Sequence, residues 1–378
     1  MQQLRAWIRK QLPTDGLGFF VSVLMLSICS FALFIAAVNR NVPEPYPFKF
    51  PANFGNRFII PADNPTTKEG VHLGRMLFYE TKLSANNKMS CGTCHEQKLA
   101  FSDGRPVSLG VDNSFTKRNS MALVNLLWVR NFFWDGRSPS LETQAVFPLT
   151  DPHEMGQSLE VSVLKLSKTK NYPRLFEKAF GIPKISPQLI QNALAQFERT
   201  LISADSNYDR YLAGTYTPTE RELRGMNLFM NPPSPERSLR GANCGHCHGG
   251  PKTFKELFHN NGIDSTFSDP GRKNFTGDSA DNGRFRVPTL RNIALTAPYM
   301  HDGRFRTLEQ VLDHYSDHVQ ESETLSTFLK GVSNEKNGSH LSLTGEEKVS
   351  IISFLHMLTD TTFINNPEFS NPHLFSKK

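Results

Sequence analysis

Two pentapeptides stand out for the chemistry they could do: Cys91-Gly-Thr-Cys94-His95 and Cys244-Gly-His-Cys247-His248. Each is C-x-x-C-H, the attachment pattern of a c-type haem. Thiols one helical turn apart can add across the two vinyl groups of a porphyrin, and the histidine that follows is thereby carried onto the iron axis. The pattern assigns Cys91, Cys94, Cys244 and Cys247 as covalent anchors of two haems, with His95 and His248 as an axial ligand of each iron. A four-cysteine zinc site is the alternative, but zinc requires no histidine after each pair, and the pairs stand 153 positions apart. A disulfide pairing is weaker still. Covalent haem attachment takes place outside the cytoplasm, so the bulk of the chain is expected to be exported.

What occupies the far side of each iron decides between electron transfer and catalysis. After His95 the next histidine is His153, and the only intervening methionine is Met121. The loop from Phe101 to Val111 offers no strong ligand. The first iron is therefore expected to be open to a small oxidant, with His153 folding over it as the competing arrangement. Beyond His248 the candidates are plentiful: Met300, His301, His314, Tyr315 and His318. Leu308, Val311, Leu312 and Tyr315 recur at i, i+3, i+4 and i+7, which puts Tyr315 on a buried helical stripe, His318 close behind and His314 pointing away. A tyrosine packing its ring in the core is the ordinary reading of such a position.

The elements that must position these groups come in two copies. Asn125-Leu-Leu-Trp-Val-Arg-Asn-Phe-Phe-Trp-Asp-Gly-Arg137 matches Asn292-Ile-Ala-Leu-Thr-Ala-Pro-Tyr-Met-His-Asp-Gly-Arg304, and Leu141-Glu142 matches Leu308-Glu309, at an offset of 167 residues. Each unit reads as attachment site, irregular loop, aromatic-Asp-Gly-Arg turn and helix, with Trp134 and His301 at corresponding positions. Ser186-Pro187 opens a helical stripe of Ile190, Ala193, Leu194, Phe197 and Leu201, and Thr344 with Glu347 forms a capping box. No strong alternating strand is seen. The stretch from Ser203 to Thr219 reads as a boundary, dividing residues 40–205 from 206–378.

Residues Gly16 to Val38 are 23 positions without a charged side chain. At about 1.5 Å per residue such a helix crosses a hydrocarbon core of about 30 Å. Arg5, Arg9 and Lys10 precede it, which keeps residues 1–15 in the cytoplasm and makes 16–39 a transmembrane anchor with the remainder in the periplasm. The Ala36-Ala37-Val38 end fits a signal-peptide cleavage site poorly. Cys29 reads as an apolar residue of that segment. Arg40 to Phe54, with four prolines, reads as a spacer from the membrane. With 378 residues, 42 Lys+Arg against 36 Asp+Glu and 38% hydrophobic residues, the chain is neither a disordered polymer nor a polytopic membrane protein. Its basic residues are scattered singly, which speaks against a nucleic-acid partner.

Together with Phe132-Phe-Trp-Asp-Gly-Arg137, Arg286-Val-Pro-Thr-Leu-Arg-Asn292 and Ala297-Pro-Tyr-Met-His-Asp-Gly303, the two attachment sites resemble the bacterial di-haem cytochrome c peroxidase family, more narrowly its MauG-like branch, from about Phe54 to Asp360. The resemblance implies an all-α fold of two cytochrome c-like haem domains, here behind an N-terminal transmembrane helix. The first haem would be the peroxide site and the second the point of electron entry. It implies further that Trp134 relays electrons between the haems, that Gln144 orients peroxide, and that Glu154 moves a proton between the peroxide oxygens. Tyr315 falls at the second haem's sixth ligand position, where many members carry Met. A calcium ion between the domains is implied on the Asn119 side chain and the Thr296 and Pro298 carbonyls. Many members also carry a displaceable His 16 residues beyond the first attachment His, where this chain has Val111, so its site is expected to be open in the oxidised form.

The activity so implied is reduction of hydrogen peroxide to water at the inner membrane, with electrons from a periplasmic cytochrome c, another small redox protein or a membrane quinol. A MauG-like oxidase acting on side chains of a partner protein is the alternative, and an electron-transfer cytochrome the third. A tyrosinate ligand should hold the second haem at a lower potential than Met would, which complicates electron uptake from a high-potential cytochrome c.

Overall fold

The computed structural model describes residues 42–374, together with 23–25, 27 and 28. The expected cytoplasmic segment 1–15 and Cys29 lie outside the described residues, as does the expected anchor 16–39 apart from those five helical positions. Among the described residues no helix is long and apolar enough to cross a membrane.

The architecture rests on two helix crossings. Thr67 caps the Lys68–Phe78 helix by accepting from the Gly70 N–H, with Glu69 in its first turn and Arg75 in its last to complement the dipole. Ser186 caps Pro187–Glu198 as the Ser-Pro pair predicts, and Ile190, Ala193, Leu194 and Phe197 are buried, as is Leu201 beyond the helix end. The two helices meet at Gly74, where a Cβ would stand 1.9 Å from the Ala193 carbonyl oxygen, so only glycine lets the backbones approach. The second half repeats the device. Glu220–Met230, with a Thr219–Glu222 capping box, crosses Gly345–His356, with its Thr344–Glu347 box, at Gly225, where a Cβ would lie 1.9 Å from the Ser350 carbonyl oxygen. Around the first crossing gather Leu73, Leu77, Phe78, Phe176 and Phe197; around the second, Leu228, Phe229, Ile351, Phe354 and Leu355. Among the described residues the β structure is one antiparallel pair of two-residue strands, Phe258–His259 and Phe285–Arg286.

The internal repeat is visible in the backbone. Asn125 and Asn292 are both left-handed, at φ 58° and 62°, as are Phe133 and Met300 at 67° and 76°. The bridge Phe132 to Ser138 recurs as Tyr299 to Phe305. In each copy the asparagine side chain ties its turn to a distant strand of backbone: Asn125 Oδ1 accepts from Ser203 N–H at 2.9 Å and Asn292 Oδ1 from Asp360 N–H at 2.7 Å.

Three stretches differ from the sequence-based expectation. The boundary segment contains a helix, Asn207–Leu212, with a Ser206–Asp209 capping box, and Asp209 forms an ion pair with the fully buried Arg291. Ser, Asn and Asp mark helix caps as well as linkers. The proline-rich stretch before Phe54 does not stand free: Phe50, Phe54 and Phe58 all set their edges against Trp128, at centroid distances of 5.0, 5.3 and 5.9 Å. Its aromatic residues give it an apolar surface to bury. Finally, the tail leaves the second core after Leu358 and returns to the first, where Phe363 and Phe369 pack against Phe101 at 5.6 and 6.5 Å. Tyr79 OH donates to the Phe369 carbonyl at 2.7 Å and Arg75 Nε to that of Ser370 at 2.7 Å.

Candidate functional site

Each attachment pentapeptide lines its own cavity. Cys91, Cys94 and His95 line one of about 940 Å³; Cys244, Cys247 and His248 line a second, smaller one. The two pairs line separate cavities, so they share no zinc site, and none of the four is in a disulfide. Both cavities suit a haem. The His95 ring donates from Nδ1 to the Phe101 carbonyl at 2.7 Å and the His248 ring from Nδ1 to that of Pro288 at 3.1 Å. A carbonyl can only accept, so Nε2 of each ring is left with the lone pair that an iron requires. Burial holds both imidazoles below their ordinary value, His248 at about 4, which keeps them in the neutral ligating form. Phe254, Val287, Leu312, Ile351 and Leu355 give the second cavity an apolar wall for a porphyrin face.

Gln144 and Glu154 line the first cavity with His95. Gln144 ends the Leu141–Gln144 helix, which Ser140 caps directly after the Asp-Gly-Arg turn. Glu154 is held by backbone: its N–H donates to the Asp151 carbonyl at 3.0 Å, and its own carbonyl accepts from Val111 N–H at 2.8 Å. Burial raises its carboxyl to about 6, with Asp151 adding and Arg137 opposing. The Val111 side chain is turned toward Gly156 and is not part of the cavity wall. Both side chains with a prospect of closing the site, His153 and Met121, line this cavity, and each is tied by a polar contact that in His153 leaves Nε2 free. His153, at the cavity edge, has Nδ1 2.8 Å from Asp112 Oδ2 and 2.9 Å from Ser114 Oγ. Met121 Sδ lies 3.5 Å from the Arg286 Nη2 donor. Sequence reasoning missed Glu198, which also lines this cavity. It is 5% exposed, its Oε2 has no hydrogen-bond partner, and burial together with Glu142 raises it to about 8. Its place directly after Phe197 on an apolar helix was the available signal.

Tyr315, on the Leu308–Asp317 helix, lines the second cavity with His248. Burial pushes its phenol up to about 12, opposed by a hydrogen bond from Asn261, whose Nδ2 lies 3.3 Å from the phenol oxygen and 3.4 Å from Met300 Sδ. Only a cation at that end of the cavity would draw the proton off. Asn261, missed in the sequence, lies outside every motif. The expectation for His314 is corrected: it is buried, with Nε2 3.1 Å from the Asn261 carbonyl, whereas His318 is exposed. The helix is covered on more than one side, with Ser316 Oγ accepting from Leu343 N–H at 2.9 Å, so a single apolar stripe under-describes it. His301 stacks on Phe285 at 3.8 Å.

Trp134 lines both cavities, and so do Asn119, Met121, Leu126 and Arg286, which makes them a common wall. The indole Nε1 donates to the Asn119 carbonyl at 2.9 Å. Asn119, Thr296 and Pro298 all line the second cavity. Asn119 Nδ2 donates to the Arg105 and Pro106 carbonyls at 2.8 and 3.2 Å, which leaves Oδ1 as the acceptor of that side chain.

The family model for di-haem cytochrome c peroxidase matches residues 68–217. A methylamine utilization protein MauG from Methylophilus methylotrophus is 33% identical over 336 residues, covering 89% of this chain and 94% of its own. A cytochrome c551 peroxidase from Nitrosomonas europaea is 34% identical over 67% of this chain and 75% of its own. Among solved structures, a MauG-like protein associated with microbial copper homeostasis superimposes with a TM-score of 0.77 at 35% identity, over 87% of this chain and 99% of that one.

Proposed function

This chain belongs to the di-haem cytochrome c peroxidase family, MauG proteins included, and is an oxidoreductase of that peroxide-acting class; from this we propose that it reduces hydrogen peroxide to water, one electron at a time, from a respiratory donor. The observation that carries the reading is that Glu154 and Gln144 share a cavity with Cys91, Cys94 and His95.

A haem held by those cysteines and His95 would supply the redox chemistry that cleaves the peroxide bond. Glu154, poised near neutrality, accepts the proton of one peroxide oxygen and delivers it to the other, which then departs as water. The Gln144 amide orients the bound peroxide. Trp134, in the common wall, would carry electrons from the second site, where His248 and Tyr315 would hold the other haem. In this reading a calcium ion stabilises the junction on Asn119 Oδ1 and the Thr296 and Pro298 carbonyls, oxygen donors that suit it. Residues 16–39 anchor the protein once in the inner membrane with its catalytic part in the periplasm, a reading supported by the uncharged run and the basic residues before it. The donor is a periplasmic cytochrome c, another small redox protein or a quinol.

A second reading, an oxidase that turns peroxide's oxidising equivalents on side chains of a partner protein, is favoured by Tyr315 lining the second cavity and by the likeness to MauG. Rapid mixing of the oxidised protein with stoichiometric peroxide should change its haem spectrum at once; an unchanged spectrum would overturn the open site. Turnover with reduced cytochrome c or a quinol then supports the peroxidase. Its absence, with a long-lived oxidised species, supports the oxidase.

A further inference from the structure

The wall between the two cavities contains a buried cation without a partner anion. Arg286 is 6% exposed and lines both cavities. Its backbone N–H donates to the Trp134 carbonyl at 2.7 Å, which ties it to the backbone of the Trp134 turn. The guanidinium finds poor acceptors: Nε reaches the Phe133 carbonyl at 3.3 Å and Nη2 reaches Met121 Sδ at 3.5 Å, while Nη1 has no protein acceptor among the described residues. The carboxylate whose field it feels, Glu256, stands beyond ion-pair distance and is itself raised by burial.

The molecule treats its other buried arginines differently. Arg291 is paired with Asp209 and Arg199 with Glu142, and even the partly buried Arg118 is paired with both Asp135 and Asp269. A guanidinium does not lose its proton in a protein, and burying it unpaired is strongly unfavourable. The missing anion must therefore come from what fills the cavities. Each haem brings two carboxylates, and the planar fork of N–H donors matches that group.

We propose that Arg286 is a carboxylate-binding site for the haem propionates, and that from its place in the common wall its charge sets the potentials of both haems together. This rests on the two-haem part of the functional reading and not on peroxide chemistry.

The test uses the full chain carrying both haems, as wild type, Arg286→Gln and Arg286→Lys, with Arg210→Gln as a control because Arg210 is a surface residue paired with Asp205. Spectroelectrochemical titration reads the two midpoint potentials. Arg286→Gln should lower both, since a nearby cation favours the reduced iron and its loss leaves a carboxylate unopposed. Arg286→Lys, which keeps the charge, should fall less at both, and Arg210→Gln should match wild type. Unchanged potentials in Arg286→Gln, or a change at one haem alone, would overturn the proposal. Should that variant fail to load, a crystal structure of the loaded wild type decides: a haem carboxylate within hydrogen-bond distance of the guanidinium supports the proposal, and a guanidinium facing none refutes it. Failure of the wild type to turn over peroxide would count against the proposed function and leave these readouts intact.

Discussion

At the first cavity two carboxyls share one space and are held in different protonation states. Burial raises Glu154 to about 6 and Glu198 to about 8, so near neutrality Glu154 is mostly ionised and Glu198 mostly neutral. Only the ionised one can accept a proton from peroxide. As pH falls through about 6, Glu154 becomes protonated and kcat/KM for peroxide should fall with it. In Glu154→Gln that acid limb should vanish and turnover should drop by about 10²- to 10⁴-fold, the usual worth of a positioned acid/base, with haem content unchanged. Steady-state rates across pH 5 to 8 (about one unit either side of the limb and beyond) check this, and undiminished turnover in the variant would remove Glu154 from the mechanism. A carboxyl at position 154 is legible in the sequence, but the burial that tunes it is not, because it depends on a cavity wall built from several distant segments.

The helices were the most legible part of the fold where their caps are local. Ser186-Pro187 and Thr344 with Glu347 mark their starts as expected, because a cap is a contact across three residues. What the helices pack against was not legible. Gly74 lies in mid-helix, where a change to alanine would ordinarily stabilise by about 1 kcal/mol. Here the new Cβ would meet the Ala193 carbonyl oxygen at 1.9 Å, backbone against which nothing can rotate away. Gly74→Ala should instead destabilise by about 1–3 kcal/mol, the scale of an overpacked core. Gly345→Ala, at the open first turn of its helix with nothing within 4 Å, should be neutral or stabilising. Urea unfolding of the haem-loaded proteins reads both, and a stabilised Gly74→Ala would mean that the crossing is not as close as described. The same limit applies to His314: helical phase finds one apolar face, and a helix covered on several sides has no single one.

On the scale of the whole molecule, the chain closes on itself. Asp360 caps the Thr361–Ile364 helix, and its Oδ2 accepts from Ser203 Oγ and the Ala204 and Asp205 N–H groups at 2.9–3.0 Å, after which the tail covers the first core. The first haem cavity is thus backed in part by residues from the far end of the sequence. Phe363→Ala should cost about 3–5 kcal/mol, as for other buried phenylalanines. The loss should concentrate in the first core: hydrogen exchange should quicken in the Lys68–Phe78 and Pro187–Glu198 helices and change little in Glu220–Met230 and Gly345–His356. Equal loosening of both halves would contradict that assignment. A similar distance separates Arg286 from Trp134, which meet in the wall between the cavities.

The sequence by itself determined the two C-x-x-C-H pentapeptides, the 167-residue repeat and the capped helices. Each of these is written within a few consecutive residues, because thiol spacing, turn conformation and capping hydrogen bonds are local. Only the tertiary structure decided which side chains share a cavity, that Asn261 reaches Tyr315, that Arg286 stands unpaired between the two cavities, and that the tail belongs to the first core. Burial and Coulomb interactions act through space, and the partners they join are separated here by tens to hundreds of residues of chain.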